Sequence, residues 1–387
     1  MNPHLAHLVA VAEQPSRRII GLMSGTSLDG LDVALCRCTG HGATLDVVLE
    51  HFATVPYTAE LQQRLRAISQ PTVQLQDVVV LHAEVARHHA ALVLASLRKW
   101  GVAPSEVDVL ASHGQTIWHA PRHQHRQAAF GHHATLQIGD GDHLAQLTGI
   151  LTLSDFRQKH VAAGYEGAPL APFVDELLFR QHGVNRLLLN LGGIANFTLL
   201  PADGSPVQAT DTGPANTLLD HVVRQHYPDK SYDAGGYLAA QGQPHAGLLA
   251  ALLSHPFFAQ GFPKTTGPEL FSPTYLKASQ AKTSTTGLPA PDLLATLVEL
   301  TATAVAQAVR HYLRPEAPAE ILVSGGGAHN QTLLAALAWH LPSLRLLSTA
   351  AAGVPPDAKE AVLFAVLANE TLAGHPALSL GKISLPG

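Results

Sequence analysis

Gly21-Leu22-Met23-Ser24-Gly25-Thr26-Ser27-Leu28-Asp29-Gly30-Leu31-Asp32 is the stretch whose reading decides the fold. Apolar Ile19–Ile20 precedes it and Val33–Cys36 follows it. Small residues between two strand-like runs read as a tight hairpin turn. Glycine lets the backbone approach a ligand closely. The hydroxyls and amide N–H groups can hydrogen-bond phosphate oxygens, and Asp29 or Asp32 can hold a hydrated magnesium ion. A Walker A loop is excluded. Gly25 to Gly30 fits its glycine spacing, but Leu31-Asp32 stands where Lys-Ser or Lys-Thr is required, and the residues beyond alternate instead of opening a helix. No G-x-G-x-x-G motif is present either.

The chain has 387 residues, enough for two or three domains with ample cores. A net charge of −5 with both signs interspersed gives no basic stripe for nucleic acid. Cys36 and Cys38, the only cysteines, lie one residue apart on an expected strand and point to opposite faces. Their number fits a reducing compartment, hence a cytoplasmic protein. Met1–Arg18 lacks the basic start and apolar length of a signal peptide and reads as a poorly ordered extension. No apolar run approaches membrane-spanning length. The 24 histidines are unusual. His119, His123, His125, His132 and His133 crowd one loop, which reads either as a solvated connection or as a metal binder of irregular spacing.

Onward, Val47–Thr54 reads as a strand and Leu61–Ile68 as a helix. Leu75, Val78, His82, Val85, His89 and Leu92 recur at three- and four-residue steps, predicting one helix to Trp100 with His82 and His89 as packing residues. Val107–Ala111 is a short strand ending at Ser112-His113-Gly114-Gln115-Thr116, where polar residues are well placed for a site. Ala162–Pro169 is a loop and candidate domain junction. Leu187–Asn190, Leu191-Gly192-Gly193-Ile194-Ala195-Asn196 and Phe197–Leu200 repeat the strand–glycine turn–strand plan. Asp211-Thr212-Gly213-Pro214 reads as opening a helix, and Pro291-Asp292 opens another running to Tyr312. Ile321–Val323 leads into Ser324-Gly325-Gly326-Gly327, a strand-to-helix junction of the kind that binds phosphate. A final helix carries Lys359 and Glu360.

Three glycine turns spread over both halves suggest a nucleotide in a cleft between two similar domains. Phosphoryl transfer needs positioning, charge neutralisation and a metal, and it benefits from a carboxylate near the attacking oxygen. Asp211 is the candidate base, with a helix N-cap as its alternative reading. His113 and Gln115 read as substrate ligands or as turn-stabilising groups, and Glu360 as a ligand or a solvated helix residue.

Together GLMSGTSLDGLD (21–32), SHGQT (112–116), QIG (137–139), SDFR (154–157), GAPL (167–170), NLGGIAN (190–196), DTGP (211–214), Ser324–Asn330 and PPDAKE (355–360) resemble the anhydro-N-acetylmuramic acid kinase family, in the family's order. The resemblance implies an α/β protein with two ribonuclease-H-like, actin-like ATPase domains around a nucleotide cleft. The domains expected are 19–170 and 171–387, after the 1–18 extension. It implies ATP and Mg²⁺ as cofactors, a small amino sugar as partner, and a homodimer as the assembly. In that family water opens the 1,6-anhydro ring of a peptidoglycan-derived sugar, and the freed O6 takes the γ-phosphate. Its catalytic base maps to Asp211. Its nucleotide turn maps to Gly25, Thr26, Ser27, Leu28, Asp29, Gly30, Leu31 and Asp32, and further nucleotide contacts to Gly192, Gly193, Gly325, Gly326 and Gly327. Sugar contacts map to His113, Gln115 and Glu360, and Mg²⁺ reaches Asp29 and Asp32 through water.

The chain departs from the family's pattern at His160, Tyr165, Glu166, Ala215, Gly235 and Pro268. These changes bear on which sugar is taken. They leave a kinase for another amino sugar, or a non-catalytic sensor, as the alternatives.

Overall fold

A computed structural model of the chain describes residues 2–125, 127–267, 269–314, 318–374 and 379–387. Pro268, one of the departures noted above, lies outside them. In chain order the strands are β1 (Ser16–Ser24), β2 (Gly30–Thr39), β3 (Asp46–Pro56), β4 (Val109–Ala120), β5 (Ala134–Ile138), β6 (Thr152–Ser154), β7 (Asn185–Leu191), β8 (Ile194–Leu200), β9 (Gln208–Pro214), β10 (Ala319–Ser324), β11 (Arg345–Ser348) and β12 (Lys382–Ser384). They form two sheets in two compact units.

The first unit comprises residues up to Leu178 together with Ala358–Gly387. Its sheet runs β12-β6-β4-β1-β2-β3, with β5 added on β4. β1, β2 and β3 form an antiparallel meander, and β4 and β6 continue it in parallel. The second unit, Phe179–Asp357, repeats the plan. β7, β8 and β9 are the meander, β10 and β11 the parallel strands, and the order is β11-β10-β7-β8-β9. Three meandering strands flanked by two parallel ones, twice over, is the ribonuclease-H-like arrangement expected for both halves.

Period-two burial organises the first unit. Ile20 and Leu22 of β1 join a core with Leu81, Val85, Ala90, Val93 and Leu97 of the Leu75–Trp100 helix. Gly21, between them, faces the opposite side, where an added Cβ would lie 1.9 Å from the Ala361 carbonyl oxygen. Only glycine lets the Lys359–Ala373 helix come so close to β1. In the second unit the Ala290–Tyr312 helix is the central element, with Leu294, Leu297, Leu300, Val305 and Ala308 all in the core.

Several expectations are corrected. The boundary falls at 178/179, not 170/171, and the last helix returns to the first unit, because its Ala361 and Ala365 pack on Gly21. Residues Pro3–Glu13 form a helix instead of a poorly ordered extension. Buried Arg17 explains this: its guanidinium donates to the carbonyls of Val11, Ala12 and Gln14 at that helix's end, and to Asn369 Oδ1 on the last helix. Among the described residues two helices, Leu75–Trp100 and Ala290–Tyr312, are long and apolar enough by composition to cross a bilayer, although charged residues interrupt both. The second is the core helix just described.

Candidate active site

In the first unit the Gly25–Asp29 turn closes the β1–β2 hairpin. The Gly25 carbonyl accepts from the Leu28 amide at 3.3 Å. Leu28 takes φ 61°, unusual for a bulky residue, and its side chain is anchored in the core. Such a conformation costs of order 1–3 kcal/mol and persists only where the surroundings impose it. A Cβ at Gly25 would meet only Ser27, its Oγ at 3.3 Å and its amide nitrogen at 4.0 Å, so this face of the turn is open to a ligand. Asp29 is exposed and accepts from Ser27 Oγ at 2.5 Å, and half-buried Asp32 accepts from Thr54 Oγ1 at 2.5 Å. Two carboxylates flanking Gly30 are hard oxygen donors of the kind a hydrated divalent cation takes.

β4 does not end at Ala111 as the sequence suggests. It continues through Ser112–Thr116 to Ala120, because β5 supplies an antiparallel partner for its second half. Gly114 takes φ 72° at the bend. The polar SHGQT residues are therefore inside the sheet. Gln115 is fully buried, and both ends of its amide are engaged: Oε1 by Ser24 Oγ, and Nε2 by the carbonyls of Gly25 and Thr116 at 3.3 and 3.2 Å. It touches the turn, and its amide is held there from both ends.

His113 is buried with its ring against Phe364, 4.9 Å between centroids, and Nδ1 donates to the Gly114 carbonyl at 2.9 Å. Burial drives its pKa down to about 3, and Arg157 pushes the same way, so the ring is neutral. Arg157, at the start of the Phe156–Ala162 helix, has a buried Nε without a hydrogen-bond partner among the described residues. Its charge is disfavoured by burial and supported by Glu360.

Glu360 begins the Lys359–Ala373 helix. Its side chain is exposed, yet desolvation by its crowded surroundings raises its pKa, against the pull of Lys359 and Arg157. Lys359 pairs with buried Asp175 at 3.0 Å. The structure thus brings His113, Arg157 and Glu360 into one electrostatic group. In the sequence Arg157 stands out only as part of the SDFR motif; an arginine closing that motif right after a buried strand is the available signal.

In the second unit β7 and β10 lie parallel, with Ser324 paired to Asn190. The Gly192–Gly193 turn and the Ser324–Gly327 turn therefore leave the sheet side by side, past the carboxyl ends of adjacent strands, where α/β folds bind ligands. Gly325, at φ 78°, is packed so that a Cβ would lie 2.6 Å from Asn190 Oδ1. A Cβ on Gly327 would meet Leu191 Cβ at 2.6 Å, whereas at Gly326 the nearest atom is Asn216 Nδ2 at 3.6 Å. Gly325 and Gly327 are thus required by packing, and Gly326 presents backbone to open space. The junction is a 3₁₀ turn, Gly326–His329, and the helix proper starts only at Gln331.

Asp211 does not open a helix. It lies within β9, and the following helix, Asn216–His226, begins five residues later with Ala215 at its cap. The N-cap reading is therefore set aside. The Asp211 amide donates to the Lys264 carbonyl at 2.9 Å, and Oδ2 accepts from the Thr266 amide at 2.7 Å. Oδ1 accepts no hydrogen bond among the described residues. Partial burial raises the Asp211 pKa, and the Thr266 amide opposes the rise. The Lys264–Gly267 loop is itself anchored: Lys264 Nζ donates to the Phe257 carbonyl at 3.1 Å and sits over the Phe257 and Phe262 rings at 4.4 and 4.5 Å. A carboxylate held at one oxygen, free at the other and raised in pKa is equipped as a general base.

In the histidine loop, His123 Nδ1 lies 3.3 Å from Glu166, His133 Nδ1 accepts from the Arg122 amide, and His125 Nε2 donates to the His132 carbonyl. The structure assembles no group of three metal-ligating side chains there or elsewhere among the described residues.

The family model described as anhydro-N-acetylmuramic acid kinase matches residues 17–381. The curated anhydro-N-acetylmuramic acid kinase of Pseudoalteromonas atlantica is 48% identical over 401 residues, covering 100% of both chains. Those of Pseudoalteromonas translucida and Caldanaerobacter subterraneus are 45% and 37% identical, covering 97% and 98% of this chain and 94% and 99% of theirs.

Proposed function

The chain belongs to the anhydro-N-acetylmuramic acid kinase family, and from that premise we propose how its own residues carry the reaction. It is an ATP-dependent kinase that opens 1,6-anhydro-N-acetylmuramic acid with water and phosphorylates O6. The products are N-acetylmuramic acid 6-phosphate and ADP. The amino sugar is its small-molecule partner, the cytoplasm its site of action and a homodimer its expected assembly.

Asp211 Oδ1 takes a proton from water as the water oxygen attacks the anomeric carbon. The bond from that carbon to O6 breaks, and O6 attacks the γ-phosphorus. The bond from phosphorus to the bridging β,γ-oxygen breaks and ADP departs. The water oxygen becomes the anomeric hydroxyl, and the proton on Asp211 passes to solvent. The single observation that carries this reading is the state of Asp211: one oxygen bonded to the Thr266 amide, the other without a hydrogen bond among the described residues, and the pKa raised by burial.

The open Gly25–Asp29 turn offers hydroxyls and amides to phosphate oxygens. Gly192–Gly193 and Gly325–Gly327 take the rest of the nucleotide, with Gly326 the position where its approach is unobstructed. Asp29 and Asp32 fit a magnesium ion held through water, which would neutralise phosphate charge. Arg157 and Glu360 orient the sugar. His113, neutral and packed on Phe364, braces them from behind.

Asp211→Asn tests the assignment. The amide keeps the size and can still accept from Thr266, but it cannot take the proton. Turnover should fall at least a hundredfold, the lower end of what a general base contributes, while ADP binding measured by calorimetry stays unchanged. Near-wild-type turnover would overturn the assignment.

A further inference from the structure

Four buried side chains form a chain of hydrogen bonds behind the Gly25–Asp29 turn, and the direction of every proton in it can be deduced. The Gly25 and Thr116 carbonyls can only accept, so the Gln115 end facing them is its NH₂ group. Its Oε1 then faces Ser24, so the Ser24 hydroxyl donates to it. With that proton committed, the contact between Ser24 Oγ and Tyr57 Oη, 2.7 Å, is donated by Tyr57. With the tyrosine proton committed in turn, the 2.6 Å contact between Tyr57 Oη and His89 Nε2 is donated by the histidine. His89 is therefore the Nε2–H tautomer.

We propose that His89 and Tyr57 are positioning residues for the nucleotide turn, acting through the ordered relay His89 Nε2–H to Tyr57 Oη to Ser24 Oγ to Gln115, which fixes the Gly25 carbonyl. This rests on the reading that the Gly25–Asp32 turn holds the nucleotide.

Geometry supports a device and not mere packing. Ser24, Tyr57, His89 and Gln115 are all buried, from four separate elements: the end of β1, the start of the segment after β3, the middle of the Leu75–Trp100 helix and β4. The chain ends on Gly25, whose carbonyl also accepts the Leu28 amide and so fixes the strained Leu28 backbone. Reversing any one proton would set donor against donor or acceptor against acceptor further along, so the relay has a single state. Burial drives the His89 pKa down to about 3 and pushes that of Tyr57 well up, which keeps both neutral and the direction fixed across the working pH range. Tyr57 stacks on the His89 ring at 6.0 Å; burial lowers the His88 pKa against the pull of Glu84, and it drives that of His113, which also feels His89, down to about 3.

Two variants separate donor loss from packing loss. Glutamine can place an NH₂ donor where His89 Nε2 stands, and leucine cannot. His89→Leu should raise the KM for ATP about five- to tenfold, the worth of one buried hydrogen bond, and leave the KM for the sugar within twofold. His89→Gln should return the ATP value to within twofold of wild type. Equal effects on both KM values, no effect on that for ATP, or no rescue by glutamine would overturn the proposal.

¹⁵N spectroscopy of the wild-type protein, with His89 identified by the resonance lost in His89→Gln, should show a neutral Nε2–H ring from pH 5.5 to 8. An Nδ1–H ring or an imidazolium would also overturn it. Gly25→Val isolates the premise, since a side chain there would fill the open face of the turn. If it left ATP affinity unchanged, the turn would not be the nucleotide site, whatever the His89 spectrum showed.

Discussion

Gly21→Ala puts the tight contact between β1 and the last helix to the test. The new Cβ would lie 1.9 Å from the Ala361 carbonyl oxygen and 2.9 Å from the Ala365 amide nitrogen, where an ordinary contact is 3.4–4 Å. Backbone atoms on both sides cannot swing away as a side-chain end would. The Lys359–Ala373 helix must retreat by roughly 1.5 Å, and a radial gap of 0.5–1 Å already forfeits a quarter to a half of a contact's dispersion energy. The helix carries Ala361, Val362, Ala365, Val366 and Ala368 fully buried, so the loss spreads along its length. Overpacking of a dense core costs about 1–3 kcal/mol, occasionally more, and replacing a strand glycine returns about 0.5–1 kcal/mol of backbone entropy. The net expectation is a loss of about 2 kcal/mol, taken from the upper end of the cost because backbone is struck. Urea unfolding can be followed by the reactivity of Cys36 and Cys38, both buried on β2, which reports the first unit alone. Turnover should drop too, because Glu360 rides on the displaced helix. A Gly21→Ala protein unfolding within 0.5 kcal/mol of wild type would refute the reasoning.

Other consequences follow from buried charge. Asp175→Ala leaves Lys359 without its 3.0 Å partner and should destabilise the first unit by about 3 kcal/mol, whereas Asp175→Leu combined with Lys359→Met should cost less than either single change, as is usual for buried pairs; equal additive losses in urea would contradict this. Asp211 must be ionised to act, and burial raises its pKa, so kcat should fall as pH drops through a value above the ordinary 3.8. Thr266→Pro removes the amide that opposes the rise and should move that acid limb to higher pH; a limb that stays put would show that the bond does not tune the base.

The hairpins and long helices were legible in the sequence because their information is local. Alternation around Gly21–Asp32 and around Asn190–Asn196, and the three-to-four spacing from Leu75 to Leu92, each stand for one element. What could not be read depended on partners far along the chain. Ser112–Thr116 look like residues beyond a strand end because they are polar; they stay in the strand because β1 pairs with Ser112, β5 pairs with Gln115 and Thr116, and their side chains bond inward. Asp211 preceded a Gly-Pro pair and so looked like a helix opening, but its backbone is held by β8 and by Lys264, which lies 53 residues on. The return of the last helix to β1 depends on a contact between Gly21 and Ala361 that no local pattern announces. His89 sat on an apolar stripe and read as packing, since nothing near it in sequence points to Tyr57.

The central claim, hydrolytic ring opening coupled to phosphorylation, is tested most directly by incubating the protein with ATP, Mg²⁺ and 1,6-anhydro-N-acetylmuramic acid in ¹⁸O-labelled water and reading the product by mass spectrometry. The account predicts a 6-phosphate carrying one label at the anomeric oxygen and none in the phosphoryl group. Label in the phosphoryl group, or a phosphorylated sugar with its anhydro ring intact, would contradict it.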